Sequence, residues 1–403
     1  MALMPVAEAL ARVLADADPL PAEAAPLVEA HRRVLAADLE TLRTQPPADV
    51  SAMDGYAVRA ADVARAPARL KLIGEVAAGH PFEGQVGAGE AARIFTGGVV
   101  PPGADTIVIQ ENTTREDDAV VVTASAGKGR HIRVAGLDFE TGAILLTKGR
   151  RLSDRDLALA AAMNYPTLPV HRRPKVAVLA TGDELVMPGS KPSFGEIVYS
   201  NGYATMALAL REGCDVVDLG IVPDRLPETA AAVRRARDGG ADVLVTSGGA
   251  SVGDYDLVEK ALAAEGLALS FWKIALRPGR PMMHGRLGAM HVLGLPGNPV
   301  SSYVCAVLFL VPLIGRLCGR SDVEPIPEPA LLGCDLPEND ERSDYLRARL
   351  APGARGLLIA NPFSVQDSSM LVPLAEADCL LIREPHAPAA IAGSRCSILK
   401  LGL

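Results

Sequence analysis

Three apolar runs in the second half of the chain each end in a loop of small and polar residues. The runs are "VAVLATGDEL", "DVLVTSGGASVGD" and "MHVLGLPGNP", and the segments "NGYATMALALREG" and "LPETAAAVRRARDGG" between them are typical of helices. Nearly continuous hydrophobic strands that alternate with helices predict a parallel sheet covered on both faces. Ligands bind beyond the carboxyl ends of the strands in such sheets. We therefore expect the three loops to lie together at one edge of one sheet.

The second loop, "TSGGASVGDYD", has the composition of an anion-binding turn. The backbone N–H groups of Gly248, Gly249 and Gly253, with the hydroxyls of Ser247 and Ser251, could surround a phosphate. The alternative is an ordinary glycine turn, and the sequence contains neither a Walker motif nor GxGxxG. Three polar loops at one sheet edge favour the binding interpretation.

Carboxylates follow the first two of these strands. The first loop, "TGDE", supplies Asp183 and Glu184, and "GDYD" supplies Asp254 and Asp256. Acids this close repel one another unless a cation or a proton lies among them, so the cluster predicts a Mg²⁺ ion. The alternative is a set of solvated surface acids.

Two further segments extend the candidate site. The segment "FWKIALRPGRP" places Lys273, Arg277 and Arg280 around a turn, and "LPGNP", from Leu295 to Pro299, forms a rigid loop before a helix. Beside a phosphate nest the three cations would clamp an anion, for which the arginine fork is well suited. Each segment could also be a simple turn.

The rest of the chain changes character at several points. Apolar residues three or four apart predict a helix from Val6 to Leu14 and a second from Ala22 to about Leu39, and Ser153 is a candidate N-cap for the helix "DRDLALAAAMN". Short β-rich runs separated by glycine lie between these helical parts and again towards the C-terminus. We expect a multidomain α/β and β protein with a central three-layer parallel-sheet domain. The predicted domains are an N-terminal helical domain (1–48 and 131–172), an inserted small β domain (49–130), the α/β domain (173–322) and a C-terminal β-barrel-like domain (323–403).

Composition excludes several functional classes. The formal charge of −8 argues against nonspecific nucleic-acid binding. The cysteines lack zinc-type spacing and are expected to be reduced core thiols. The N-terminus does not resemble a secretory signal, and we expect the longest apolar run, "YVCAVLFLVPLIG", to be too short for a bilayer and to be broken by Pro312. A cytoplasmic protein that binds neither nucleic acid nor a membrane is expected.

A set of motifs follows a specific order along the chain: "SAMDGYAVR", "IFTGGVVPPGADTIVIQE", "VAVLATGDEL", "SGGASVGDYD", "FWKIALRPGRP" and "LPGNPVSS". This combination resembles the MoeA family of molybdopterin molybdenumtransferases, and the C-terminal E domain of gephyrin, over essentially the whole chain. By local reasoning alone, "MDGY" and "FTGG" are hairpin turns. The resemblance instead implies an elongated four-domain homodimer in which the molybdopterin-binding sheet domain of one subunit faces the β domain of the other across a cleft.

The resemblance also implies roles for individual residues. Asp54 and Thr96 would enter the partner's site, and Lys273 and Arg277 match a basic pair whose second member is usually lysine. Ser368 of "VQDSSML" matches a serine of the C-terminal domain. The residues expected to act in catalysis are Asp54, Thr96, Asp138, Glu184, Asp224 and Asp256, and those expected to bind the metal are Glu184, Asp224, Asp254 and Asp256. The residues expected to bind substrate are Thr181, Gly182, Asp183, Ser247, Gly248, Gly249, Ser251, Gly253, Lys273, Arg277, Arg280, Pro296, Gly297, Asn298, Pro299 and Ser368.

The implied reaction converts adenylylated molybdopterin and molybdate to molybdenum cofactor, releases AMP, and uses Mg²⁺ or another divalent ion. The implied partners are the molybdopterin adenylyltransferase and the molybdoenzymes that accept the cofactor. One alternative is a gephyrin-like scaffold that binds peptides, although a scaffold has no need of the acidic set. Another is an adenylyltransferase that shares only the α/β domain, although the "MDGYA" β domain argues against it.

Overall fold

The computed structural model describes residues 3–248, 257–353 and 356–402. The helices in these residues are, in chain order, α1 (Val6–Ala15), α2 (Asp154–Ala162), α3 (Asn201–Arg211), α4 (Leu226–Asp238), α5 (Leu257–Ala264), α6 (Pro299–Cys305), α7 (Val311–Leu317) and α8 (Leu371–Ala375). The strands up to residue 171 are β1 (Ala22–Pro26), β2 (Leu39–Glu40), β3 (Val50–Ser51), β4 (Gly55–Val58), β5 (Ala68–Val76), β6 (Glu90–Ile94), β7 (Thr106–Ile109), β8 (Thr113–Glu116), β9 (Ala119–Val122), β10 (Ile132–Arg133), β11 (Ile144–Leu146) and β12 (Thr167–His171). The later strands are β13 (Lys175–Thr181), β14 (Leu185–Val186), β15 (Ile197–Val198), β16 (Asp215–Val222), β17 (Val243–Ser247), β18 (Ala268–Trp272), β19 (Leu276–Arg277), β20 (Met283–Leu287), β21 (Met290–Leu295), β22 (Glu328–Leu332), β23 (Ser343–Pro352), β24 (Leu358–Pro362), β25 (Cys379–Arg383) and β26 (Arg395–Lys400).

The central domain is a sheet with the strand order β16-β13-β17-β21-β20-β18. The first four strands are parallel, and β20 and β18 continue the sheet antiparallel. Successive side chains of β13 enter different cores: Val176 and Val178 pack in the cluster that contains α1, α6 and α7, whereas Ala177 and Leu179 pack in the cluster with α4 and α5. The prediction of a parallel sheet covered on both faces is therefore confirmed, with an antiparallel extension that was not expected.

A continuous helix from Pro299 to Leu317 passes through this core. Our expectation that Pro312 would break it was wrong, because the preceding turn, Ala306–Leu310, is a π-helical segment that accommodates the proline at the start of α7. The helix is long and apolar enough to cross a membrane, with a mean hydropathy of 1.9, but 78% of that window is buried within the protein. This burial is typical of the core helix of a globular domain.

The small β domain is a sheet with the order β7-β4-β6-β5-β9-β8, and its strands lie between Gly55 and Val122. Strand β4, which follows "MD", is central and pairs antiparallel with both β6 and β7. Its side chains alternate between two hydrophobic clusters: Tyr56 and Val58 pack in one, and Ala57 in the other. The "MDGY" motif therefore lies at the entrance to a strand buried on both faces.

The N-terminal region contains less helix than expected. Helix α1 is present, but the predicted helix from Ala22 to Leu39 is wrong: the segment forms β1 and a short 3-10 turn, and β1 pairs antiparallel with β12. Pro21 precedes β1 and Pro26 ends it, and proline in a helix interior removes a hydrogen bond, so strand pairing prevails over the apolar spacing. Helix α2 begins at the predicted N-cap, since the Ser153 hydroxyl accepts a hydrogen bond from Asp156 N in a capping box.

Helix α1 packs on the central sheet domain rather than on the N-terminal strands. Ala9 and Val13 are fully buried in the cluster that contains Phe309 and Leu313, and Ala275 N donates to Met4 O over 2.7 Å. Burial of these side chains stabilises the sheet domain through apolar surface that the first turns of the chain supply.

The C-terminal domain is a closed barrel in which β23 pairs with β24 and β25, β22 pairs with β24 and β26, and β25 pairs with β26. Closure leaves no free sheet edge among these strands, and β19 of the central domain adds parallel to β23. The cysteines are free thiols. Cys214, Cys305 and Cys379 are buried as expected, whereas Cys334 is exposed.

Two buried histidines predict a pH dependence for the stability of the central domain. Burial lowers the pKa of His284 on β20 to about 4 and that of His291 on β21 to about 3, with Arg286 adding to both shifts while Asp16 and Asp242 oppose them. Below about pH 6.5 the unfolded chain binds protons at these rings, whereas the folded domain does not bind them until the lower pKa is reached. Protonation therefore favours the unfolded state, and the free energy of unfolding should fall as pH drops from about 6.5 towards 4, by about 1 kcal/mol per histidine and pH unit.

The measurement is denaturant unfolding between pH 7.5 and 5, followed by the fluorescence of Trp272, the chain's single tryptophan, on β18. His284→Gln should show a shallower pH dependence than the parent protein. His31 is exposed, and His31→Gln is the matched control that should leave the dependence unchanged. If the free energy of unfolding depends on pH equally in the parent protein and in His284→Gln, the prediction is contradicted.

Candidate active site at the carboxyl ends of the parallel strands

The three loops predicted to meet at one sheet edge line a common cavity of about 620 Å³. Thr181 ends β13 and Glu184 follows it, Ser247 ends β17 and Gly248 follows it, and the segment 296–299 follows β21. These strands are direct neighbours in the sheet, so their carboxyl ends lie side by side. The cavity occupies the position at which parallel α/β sheets bind ligands.

Glycine is required where two of these loops touch. Gly248 has φ +96°, and a Cβ built there would lie 2.5 Å from the carbonyl oxygen of Thr181. The same Cβ would also point at the Thr181 hydroxyl, 3.3 Å away. A larger residue would therefore push β13 and β17 apart at the floor of the cavity.

A hydroxyl at the cavity floor lacks an internal partner. The side chain of Thr181 is buried, and its Oγ1 has no hydrogen-bond partner among the described residues. Buried polar atoms are almost always paired, so this oxygen is available to a bound ligand or to a water molecule. The N-terminus of the long helix that starts at Pro299 also lies at the cavity and favours negative charge.

Among the described residues, one acidic side chain lines the cavity, and two more lie at the ends of neighbouring strands. Glu184 lines it, and the Asp183 carboxylate accepts a hydrogen bond of 3.2 Å from Asp224 N, which ties the ends of β13 and β16 together. Asp183, Glu184 and Asp224 are all exposed. In the described part of the chain, no group of three or more His, Cys, Asp or Glu residues could hold a metal ion by itself. Mg²⁺ is usually held by one or two carboxylates together with substrate phosphates, and this donor set fits that arrangement.

A second wall of the cavity was not predicted from the sequence. It consists of the ribbon formed by β14 and β15 and of the start of α3, where Asn201 Nδ2 donates to Gly297 O over 2.7 Å. Tyr199 is buried against Gly202, where an added Cβ would lie 1.5 Å from the phenol oxygen. The sequence signal that could have indicated this wall is "YSNG", which places polar residues at the start of a helix directly after two apolar residues.

The C-terminal barrel supplies the remaining wall. Ser369 lines the cavity, Ser368 Oγ accepts a hydrogen bond of 2.9 Å from Asn298 Nδ2, and Ser368 O accepts one of 3.0 Å from Val300 N. The predicted serine therefore lies beside the "LPGNP" loop. Behind it the buried side chain of Arg347, which the sequence did not single out, donates to Met370 O over 3.0 Å.

The basic residues are distributed differently from the prediction of one anion clamp. Pro281 lines the cavity, but the walls formed by described residues include neither Lys273 nor Arg280. The Arg277 guanidinium lies on the barrel, where it donates to Asp340 (2.9 Å), Asn339 (3.0 Å) and Asp344. A planar fork can bond several acceptors at once, which accounts for arginine in place of lysine at this position. Contact between Arg277 and substrate would require this pairing to open.

The remaining predicted catalytic residues lie apart from the cavity of their own chain. Asp54 Oδ1 accepts hydrogen bonds of 2.8 Å from both Thr96 N and Thr96 Oγ1, and these bonds lower the pKa of Asp54. Asp138 is exposed in the connection between β10 and β11. Asp54 and Thr96 thus form one unit on the β domain, whereas Asp138 lies elsewhere. The predicted residues Gly249, Ser251, Gly253, Asp254 and Asp256 lie outside the described residues.

Comparisons with known proteins cover the same regions. Family models match residues 4–164 (MoeA N-terminal region, domain I and II), 177–316 (probable molybdopterin binding domain) and 329–401 (MoeA C-terminal region, domain IV). The chain is 33% identical to a molybdopterin molybdenumtransferase of Haemophilus influenzae over 92% of both chains. It is 34% identical to that of Bacillus subtilis over 94% of this chain and 90% of the relative. A crystal structure of the molybdopterin biosynthesis MoeA protein of Pyrococcus horikoshii superposes with a TM-score of 0.85 at 28% identity, over 99% of this chain and 100% of the other. The chain therefore belongs to the MoeA family, as its ordered motifs indicated.

Proposed function

We propose that this protein is a molybdopterin molybdenumtransferase that inserts molybdate into adenylylated molybdopterin and releases AMP. The observation that carries the proposal is the convergence of three strand-end loops on one cavity, in a chain that matches molybdenumtransferases over nine-tenths of its length. In the reaction an oxygen nucleophile, either water or molybdate, attacks a phosphorus of the pyrophosphate link, and the bond to AMP breaks. The resulting molybdopterin phosphate receives the molybdenum.

The residues of the cavity divide between anion and cation binding. The Thr181 hydroxyl, the glycine loop at Gly248 and the N-terminus of the helix at Pro299 offer donors and positive potential to phosphate oxygens. The apolar ribbon residues Ile197 and Val198 cover one side and reduce the access of water to the reacting atoms. Molybdate is itself an anion, so we assign the carboxylates to metal and water rather than to molybdate.

Glu184 and Asp224 are the described residues that would hold Mg²⁺, and Asp183 would orient Asp224 through its backbone amide. The ion, when bound with the substrate phosphates, would neutralise the charge that develops on the leaving AMP. Asp254 and Asp256 stay in the predicted metal set on the basis of their sequence position alone.

A homodimer with shared sites would explain why Asp54 and Thr96 lie away from the cavity. Exposed apolar residues occur at both surfaces: Met53 (41% exposed) and Leu137 (61%) adjoin Asp54 and Asp138 in the chain, and Ile197 (56%) lines the cavity. A dimer contact would cover these apolar side chains. We propose that the β domain of one subunit completes the cavity of its partner.

Mixing two inactive variants tests the shared site. Asp54→Asn and Glu184→Gln homodimers should each be defective, but a hybrid of the two should regain activity at one of its two sites, because that site receives Glu184 from one subunit and Asp54 from the other. AMP release from a hybrid purified through two different affinity tags is the measurement. If both residues act within one subunit, the hybrid should remain as inactive as its parents.

The cellular context is proposed on the same basis. A cytoplasmic location agrees with the burial of the long apolar helix. The adenylyltransferase that makes the substrate and the molybdoenzymes that accept the product are the expected partners. Pull-down with each of these proteins, using the homodimer as bait, would test these contacts.

The decisive experiment for the activity combines purified protein, adenylylated molybdopterin, molybdate and MgCl₂. AMP should appear together with molybdenum cofactor, measured by the activation of a cofactor-free molybdoenzyme. In a parallel reaction, molybdopterin and ATP should give no adenylylated product, which separates this function from that of an adenylyltransferase. AMP without cofactor, or neither product, would overturn the proposal.

A peptide-binding scaffold is a second candidate function. One observation favours it: an apolar cavity of about 290 Å³ between α1 and the barrel, lined by residues that include Val6, Leu10, Tyr345 and Leu399. Calorimetry with apolar peptides and with molybdopterin would separate the two functions, because a scaffold should bind the peptide alone.

A further inference from the structure

The segment between β24 and α8, residues 363–370, forms the barrel-side wall of the cavity. It reaches the central domain through Ser368, whose carbonyl accepts from Val300 N at the start of the long helix, and through Ser369 on the cavity surface. Ser368 Oγ accepts a hydrogen bond from Asn298, so its own proton remains available to a ligand. The position of this segment therefore decides the shape of the cavity and the direction in which the Ser368 hydroxyl can donate a hydrogen bond.

The side chain of Gln366 makes several of the hydrogen bonds that hold the segment to the barrel, together with the bonds from Phe363 N to Arg347 O and from Arg347 Nη1 to Met370 O. Gln366 Oε1 accepts from Arg347 N (3.0 Å) and from Arg347 Nε (3.3 Å). Its Nε2 donates to Arg347 O (3.0 Å) and to Phe363 O (2.9 Å). The amide thus bonds to both the N–H and the carbonyl of Arg347 on β23, in the pattern of an added strand residue, and its bond to Phe363 O also closes the turn that begins there.

Arg347 depends on this amide because it is a buried cation whose hydrogen-bond acceptors are neutral, although the charge of Asp367 also acts on it. It is 1% exposed, and its Nη2 has no hydrogen-bond partner among the described residues. In the described part of the chain its side chain donates to Gln366 Oε1 in the middle of the segment and to Met370 O at its end. Without Gln366 the guanidinium would lose an acceptor in a place that water reaches poorly. The guanidinium and the segment 363–370 would then both be free to shift.

We propose that Gln366 is a positioning residue for the reaction: through Arg347 and the segment 363–370 it sets the place of Ser369 in the cavity wall and of Ser368 beside Asn298. The proposal rests on the proposed function for its catalytic consequence, whereas its structural part is independent of any activity. Gln366 itself does not line the cavity and is not expected to touch substrate.

The variants are Gln366→Met, which removes all of these hydrogen bonds at similar volume, and Gln366→Glu, which keeps the acceptor for Arg347 but loses the donors to Arg347 O and Phe363 O. Gln85→Met is the matched control, because Gln85 is exposed on the β domain. The first readout is hydrogen–deuterium exchange of the full-length protein in peptides that contain Val300 and residues 364–370. Exchange should accelerate about tenfold in Gln366→Met and less in Gln366→Glu, and should be unchanged in the control.

The second readout separates positioning from loss of fold. The KM for adenylylated molybdopterin should rise about tenfold in Gln366→Met while kcat changes by less than about twofold, and Gln366→Glu should recover part of the loss. Unchanged exchange at Val300 and 364–370, or faster exchange with unchanged KM, would overturn the proposal. If the methionine variant does not fold, the glutamate variant carries both readouts. If the parent protein lacks the proposed activity, that function fails, and the exchange result alone decides whether Gln366 positions the wall.

Discussion

Replacing Glu184 with glutamine should lower the rate of AMP release roughly a hundredfold, equivalent to about 3 kcal/mol of transition-state stabilisation. Glu184 lines the cavity at the end of β13, and glutamine keeps its size while removing the charge that would bind Mg²⁺ beside the phosphates. Asp224→Asn should behave in the same way, because Asp224 is held next to Asp183 at the neighbouring strand end. Steady-state AMP release at saturating Mg²⁺ and molybdate is the measurement.

Thermal unfolding must be unchanged in these variants, since both carboxylates are exposed. Glu324 is an exposed glutamate outside the cavity, and Glu324→Gln should retain full activity. Turnover of Glu184→Gln and Asp224→Asn at the parent rate would remove both residues from the metal assignment and shift it towards Asp254 and Asp256.

Replacing Gly55 with alanine should destabilise the β domain by about 3 kcal/mol or more. A Cβ at Gly55 would lie 2.0 Å from the carbonyl oxygen of Val108 and 2.9 Å from its carbonyl carbon. Strand β4 is hydrogen-bonded on both sides, so neither it nor β7 can move away without breaking a ladder. The expected result is an unfolding transition of the β domain at lower denaturant concentration, together with loss of activity as Asp54 is displaced.

Gly127 provides the matched control, because an alanine there would meet no atom within 4 Å. Gly127→Ala should therefore unfold like the parent protein. Limited proteolysis between residues 49 and 130 would report the same difference, with Gly55→Ala cleaved first. Equal stability of the two variants would contradict the prediction, because it would show that β4 and β7 can move apart to accommodate a Cβ at Gly55 without loss of stability.

Much of the central domain follows from local patterns. The apolar runs before Thr181, Ser247 and Leu295 are buried on both faces of a parallel sheet, and parallel strands bring their carboxyl ends to one edge, so the cavity could be anticipated. The cap at Ser153 follows from hydrogen bonding within one turn of helix. Such features depend on neighbours in the sequence or on a topology that the βα alternation already implies.

Other features depend on partners that are distant in the chain. The segment from Ala22 has the apolar spacing of a helix, but its pairing with β12, about 145 residues away, makes it a strand. The proposed role of Gln366 depends on its hydrogen bonds to a neighbouring strand. The role of Asn201 depends on a hydrogen bond that it donates to a carbonyl 96 residues away. Arg277 looked like a phosphate ligand because its acidic partners on the barrel are more than 60 positions further along.

The placement of α1 in the core of the central domain changes how the chain should be divided. The first turns of the polypeptide and the central sheet that begins at Lys175 complete one folding unit, so everything between Ala15 and β13 is a nested insertion within it. A fragment that starts near residue 173 would lack the helix that covers Phe309 and Leu313 and would expose that surface to solvent. Independent expression of this unit therefore calls for a circular permutation or a linker that joins α1 directly to β13, rather than a simple truncation.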